Sequence, residues 1–210
     1  MKNIKSRIPT TLLILILLGL VIQVGGCYLV DAFCIGIPLL GDKVPYFVRK
    51  EIADYTVTIT DLTSMESRMV VYVILAAPMI EELVFRVLFL QIFAKFLPFW
   101  IANLLQAILF GIYHMGLVQG LYAFLIGTAI GAVFYYVRSS LAEKKSLIAP
   151  LGGYVAGLVL HGVINASGLY LAPVLPDELT LSNKIIIGVS CTVVTISVLV
   201  LFLRPAKRKS

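Results

Sequence analysis

The chain has 210 residues, 60% of them hydrophobic and 13% charged. A soluble domain carries about a quarter charged residues, so this composition excludes an ordinary soluble fold and calls for several membrane spans. The net charge of +6 gathers in acid-free blocks at the two ends, Lys2, Lys5 and Arg7, then Arg204, Lys207, Arg208 and Lys209; beside apolar spans these read as cytoplasmic flanks, not as a nucleic-acid surface.

A span needs about 20 mostly apolar residues, and about six such stretches can be read in order: 8–30, 69–93, 99–115, 120–137, 148–167 and 185–203. The first begins like a lipoprotein signal, with "VGGC" ending at Cys27. The apolar run continues past Cys27 through "YLV", which suits an uncleaved span. Cys27, Cys34 and Cys191 form no CxxC and give no disulfide framework. Residues 32–40 are apolar but short, and read as a surface or re-entrant piece. The stretch 41–67 is the one long polar segment. Its "TVTITDLTS" alternates polar and β-branched residues, as a short strand or a loop would. Pro98 separates the second and third spans, because proline is disfavoured inside a helix but accepted at its start. Gly127 and Gly131, and Gly153 and Gly157, repeat at GxxxG spacing; plain helix packing is the favoured explanation over a dimer motif.

With the N-terminus inside, the inner segments hold the two terminal blocks together with Lys95, Arg138, Lys144 and Lys145, against Glu143 alone. This positive-inside bias predicts a multi-pass protein of the cell membrane with both termini cytoplasmic. The expected fold is all-α, a polytopic helix bundle in contact with the lipid bilayer. No low-complexity linker divides it. Residues 1–68 form an N-terminal span and polar loop, 69–167 a core, and 168–210 an outer loop, the final span and the basic tail.

The strongly polar residues inside the spans are Glu81, Glu82, Arg86, His114, His161 and Asn165, with weaker ones at Gln91, Asn103 and Gln106. Ionisable groups at membrane depth are costly and mark functional sites. Glu82 and Arg86 are four residues apart, as are Phe110 and His114, and His161 and Asn165, so each pair shares a helix face. Counted from the turn near Pro98, Glu81 and His114 lie roughly 24 Å deep, and His161 lies roughly 20 Å from the same side. All can meet in one layer. Pro78, just ahead of the glutamates, removes a backbone donor and can kink the helix beside them.

"EELVFR" (Glu81 to Arg86), "FGIYH" (Phe110 to His114) and "HGVIN" (His161 to Asn165) resemble the motifs EExxxR, FxxxH and HxxxN of the CAAX protease and bacteriocin-processing family, also called the Abi family. They stand in the family's order, on three spans, and include both histidines of the chain. The resemblance covers about 69–167. It implies an intramembrane endopeptidase acting on a peptide or membrane-protein substrate, with bacterial relatives associated with bacteriocin self-immunity, peptide maturation or control of membrane sensors. It further implies Glu81 as the base that activates water, with His114 helping to hold that water. His161 and Asn165 would stabilise the oxyanion, and Glu82 and Arg86 would hold and tune the base. The residue chemistry agrees with such a reaction, which needs a base, a water and an oxyanion site. No serine–histidine–aspartate set is evident and no cysteine falls in a motif. Glu82, His114 and His161 could also hold zinc with water in a fourth position; a metal-free glutamate route uses the same residues and is favoured. The rival readings are a non-catalytic scaffold or regulator of a sensor kinase, and a proton or solute transporter, for which no inverted repeat is evident.

Overall fold

A computed structural model describes residues 8–62, 66–141 and 147–203. The terminal basic blocks, and Glu143, Lys144 and Lys145 of the orientation argument, lie outside the described residues. Within them the chain is all helical, without a strand. Helix α1 (Ile8–Gly36) has 29 residues and runs through Cys27. The expected surface piece at 32–40 is instead divided between the end of α1 and a 3₁₀ turn, Pro38–Lys43. Gly41 takes φ +59 there, a left-handed conformation that glycine adopts without steric cost.

The polar stretch departs from expectation in a second way. It is helix α2, Tyr46–Leu62, and not a strand or loop; Thr63, Ser64 and Met65 lie outside the described residues. A β-branched residue weakens a helix by only a few tenths of a kcal/mol, and tertiary packing overrides that. Val48, Glu51, Ile52 and Tyr55 form the packed face, while Tyr46, Phe47, Lys50 and Asp54 are exposed. Their i, i+3, i+4, i+7 spacing is that of one helical stripe. Burial raises the pKa of the Tyr55 phenol, helped by Cys27, Cys34 and Asp31 of α1.

Helix α3 spans residues 67–93 and is continuous but uneven. Ser67–Val71, Ala77–Glu82 and Gln91–Phe93 are α-helical, whereas Tyr72–Ala76 and Leu83–Leu90 are π-helical. After a turn ending at Pro98 come α4 (Phe99–Tyr113), α5 (Leu117–Ser140), α6 (Ile148–Tyr170) and α7 (Leu181–Leu203). Among the described residues 4 helices are long and apolar enough to cross a membrane: α1, α5, α6 and α7. The second and third expected spans are not in that set. α3 is broken into segments, and α4 has 15 residues, short of the 20 or so that a hydrocarbon core requires.

Helix α5 is the central post. It packs against α4 on one side and α6 on the other, and α1 closes the bundle against α6 and α7. Leu15, Leu18, Ile126, Ile130, Leu160 and Ile164 form the main core where α1, α5 and α6 meet. The two GxxxG pairs serve this internal packing. A Cβ on Gly153 would stand 2.8 Å from the Phe134 carbonyl oxygen, and one on Gly131 would overlap Asn103 Oδ1. Tyr28 donates a hydrogen bond to the Pro176 carbonyl, Lys184 pairs with Asp31 at 3.0 Å, and Leu117 N–H donates to Glu51. These contacts gather the end of α1, helix α2, the start of α5 and the start of α7 at one end of the bundle.

Candidate active site

The site forms where α6 crosses the uneven part of α3. The Ala77 N–H bonds the Tyr72 carbonyl, five residues back, so it does not serve Val73. The next donor along would be residue 78, but Pro78 has no N–H. Val73 therefore presents a carbonyl with neither its α nor its π partner, inside a membrane protein where backbone groups must be satisfied internally. Asn165 of α6 supplies the donor, Nδ2 to Val73 O at 2.9 Å. One turn earlier on α6, Gly162 leaves room beside the Ile74 carbonyl, 3.1 Å from where a Cβ would lie. Tyr154 OH donates to the Met79 carbonyl at 3.1 Å. Pro78 thus leaves a carbonyl for α6 to grip.

On the same face, His161 lies between the two glutamates. Its Nδ1 is 2.8 Å from Glu82 Oε1, and its Nε2 is 3.6 Å from Glu81 Oε2. Glu82 Oε1 also meets Arg86 Nη1 at 3.1 Å, and both of those side chains are 0% exposed. A buried carboxylate beside a guanidinium is an acceptor only, so His161 presents Nδ1–H to Glu82. Its Nε2 then faces Glu81. Arg86 is held further by the Gly127 carbonyl at 3.5 Å and by the Phe110 ring, 4.4 Å from its guanidinium carbon. The Gln106 amide also donates to the Gly127 carbonyl, at 3.0 Å.

Phe110 opens the second motif. Its ring meets His114 edge-on at 4.6 Å and His161 at 5.8 Å. His114 Nδ1 donates to the Phe110 carbonyl at 2.8 Å, which leaves Nε2 as its free acceptor. His114 closes α4 at a tight turn, where Met115 takes φ +57 and Gly116 N–H bonds the His114 carbonyl at 2.7 Å.

The structure therefore brings Glu81, Glu82, Arg86 and His161 into direct contact and ties Asn165 to the same stretch of α3. It sets His114 beside them across one aromatic ring. Of the expected zinc set, Glu82 Oε1 is engaged by Arg86 and by His161 Nδ1, while Glu82 Oε2 is buried without a hydrogen-bond partner among the described residues. Among the described residues no three His, Cys, Asp or Glu side chains are grouped to hold a metal ion. Several contributors escaped the sequence reading. Gly157 is needed because a Cβ there would stand 2.8 Å from Glu82 Oε2. Phe110 was visible as the first residue of the second motif, but its contacts with Arg86 and His161 were not. Gln106 and Asn103 were visible as amides in an apolar span, but their targets on α5, the Gly127 and Thr128 carbonyls, were not.

Spanning helices around a buried carboxylate, guanidinium and imidazole cluster define a membrane protein with a chemical centre inside the bundle. A family model described as Type II CAAX prenyl endopeptidase Rce1-like matches residues 63–167, half of the chain, and the chain belongs to that family of CAAX-type intramembrane endopeptidases. Its substrate is accordingly a peptide or protein. No curated protein and no solved structure matched the chain.

Proposed function

We propose that the protein hydrolyses a peptide bond in a membrane-associated peptide or membrane-protein segment, using water activated by Glu81 without a metal. The observation that carries this is the unequal setting of the two glutamates. Glu82 is 0% exposed and locked by Arg86 and His161, whereas Glu81 is 12% exposed and faces His161 Nε2 across 3.6 Å. That separation is longer than a hydrogen bond, so both atoms can turn to a water set to one side of them.

In this reading Glu81 takes a proton from water as the oxygen attacks the substrate carbonyl, and returns it to the leaving amine. His161 and the second Nδ2 hydrogen of Asn165 stabilise the oxyanion. His114 Nε2 accepts a hydrogen bond from the water. Glu82 and Arg86 orient His161 and fix the register of α3. Residues 69–167 act as the core, and α3 and α4 complete about six crossings with both termini in the cytoplasm. Bacteriocin self-immunity and peptide processing are the settings the family resemblance suggests.

The deciding experiment is Glu81→Gln in purified, reconstituted protein. Cleavage of membrane peptides should cease while insertion and thermal stability stay near wild type. Undiminished cleavage would remove Glu81 from the role of base. Metal analysis of active protein, with cleavage measured before and after chelation, tests the metal-free route: stoichiometric zinc and loss of cleavage on chelation would overturn it.

A further inference from the structure

Helix α2 lies outside the segment the family model matches, yet it carries a carboxylate on its packed face. Val48, Glu51, Ile52 and Tyr55 make that face, and Ile52 is buried. Glu51 Oε2 accepts a hydrogen bond from the Leu117 N–H at 3.0 Å, across 66 residues of sequence. Leu117 is the first residue of α5. Its N-cap is Gly116, which has no side chain and gives no side-chain cap. The first amides of a helix lack internal partners, and a carboxylate there is favoured by both the free donor and the helix dipole. Glu51 therefore does from a distance what a local serine or aspartate would ordinarily do.

What it caps is the His114 turn. His114, Met115 and Gly116 are the whole connection between α4 and α5. Met115 is the one non-glycine residue with positive φ among the described residues, and that conformation is strained for a residue with a Cβ. Just beneath, α4 and α5 touch backbone to backbone. A Cβ on Gly111 would stand 2.7 Å from the Gly120 carbonyl oxygen, and one on Gly120 would stand 2.9 Å from that of Gly111. The turn is held from below by this glycine contact and from the side by Glu51.

We infer that Glu51 is a positioning residue for His114, acting through the first amide of α5, so that the surface helix α2 sets the angle at which the imidazole meets the site. This rests on His114 belonging to the site. The family's motifs do not include Glu51, and the bond it makes is a direct side-chain link from α2 to the end of α5 beside that histidine.

The test uses full-length protein with ring-labelled histidine in lipid nanodiscs. The chain has 2 histidines, so the spectrum holds two imidazoles, assigned with His161→Gln. Glu51→Ala removes the acceptor. Leu117→Pro removes the donor, yet proline is well tolerated as a first helical residue. The extended ψ of 146 at Gly116 suits a residue before proline. Both variants should shift or broaden the His114 signals and leave those of His161 in place. Glu51→Gln, which keeps an acceptor oxygen, should restore the wild-type spectrum. In a cleavage assay the first two should lower kcat about 10- to 100-fold, the scale of a small misplacement, with KM little changed. Unchanged His114 signals in Glu51→Ala and Leu117→Pro would overturn the inference, whatever happens to kcat. The spectrum needs no turnover, so a wild-type protein that cleaves nothing would count against the protease reading and leave this test intact.

Discussion

Asn165 reaches from α6 to the Val73 carbonyl of α3 at 2.9 Å, and Val73 is the residue whose helical donors are removed by the π turn and by Pro78. The amide of the third motif and the proline ahead of the first are therefore two halves of one joint. Pro78→Ala returns an N–H that can serve Val73 from five residues on. In the wild-type background Asn165→Ala leaves a half-buried carbonyl unpaired and should cost about 1–3 kcal/mol. In the Pro78→Ala background the same change should cost clearly less. A double-mutant cycle on thermal unfolding in detergent measures the difference. Equal costs in both backgrounds would mean that Pro78 and Asn165 do not share this carbonyl.

That joint shows what could be read from the sequence and what could not. The i, i+4 pairs and the depth count from Pro98 located Glu81, Glu82, Arg86 and His161 together, because helical rise and periodicity are nearly constant. The weak points were those where periodicity fails. The π turn at Tyr72–Ala76 leaves the Val73 carbonyl for α6 to satisfy, and nothing local in "VYVILAAP" announces it. Helix α2 was obscured by its alternating threonines, whose preference for extended backbone is small beside the packing of Ile52 and Tyr55. Glu51 looked like an ordinary loop charge, since its partner amide is 66 residues away. Read as a helix, however, Val48, Glu51, Ile52 and Tyr55 would have stood out as a stripe with one misplaced acid.

Arg86 and Glu82 form an ion pair with both side chains fully buried. Removing one partner strands the other charge, whereas removing both does not. Arg86→Met should therefore destabilise the protein by about 3–5 kcal/mol, and Arg86→Met with Glu82→Gln should recover much of that loss. Recovered stability should not bring back cleavage, because His161 Nδ1 would lose its carboxylate partner. Thermal unfolding and cleavage measured on the same three proteins separate the two effects.

Gly153 and Gly157 share a GxxxG but meet different neighbours. A Cβ at 153 would press on the Phe134 backbone, and one at 157 would press on the Glu82 carboxylate, each at 2.8 Å. Gly153→Ala should act on helix packing, lowering thermal stability by about 1–3 kcal/mol as overpacking does. Gly157→Ala should act on chemistry instead: the carboxylate must move, and His161 with it. Its kcat should fall by more than its loss of stability explains. If both variants lose stability and kcat in parallel, Gly157 is a packing residue like its partner.

The end of the bundle that carries the His114 turn also carries α2 and the start of α7, through the Glu51–Leu117 and Asp31–Lys184 contacts. With cytoplasmic termini, this end faces outward and Lys95 faces the cytoplasm. Met115 is 93% exposed, which makes it a suitable probe. In a background with Cys27, Cys34 and Cys191 replaced, Met115→Cys should react in intact cells with a membrane-impermeant maleimide. Lys95→Cys should react only after the cells are opened. The reverse pattern would invert the protein in the membrane and place the His114 turn, with the mouth of the site beside it, on the cytoplasmic side. Labelling of both positions from outside would instead mean that α4 does not cross the membrane. Its 15 residues make that outcome physically reasonable, and it would leave the joint between α3 and α6 unchanged.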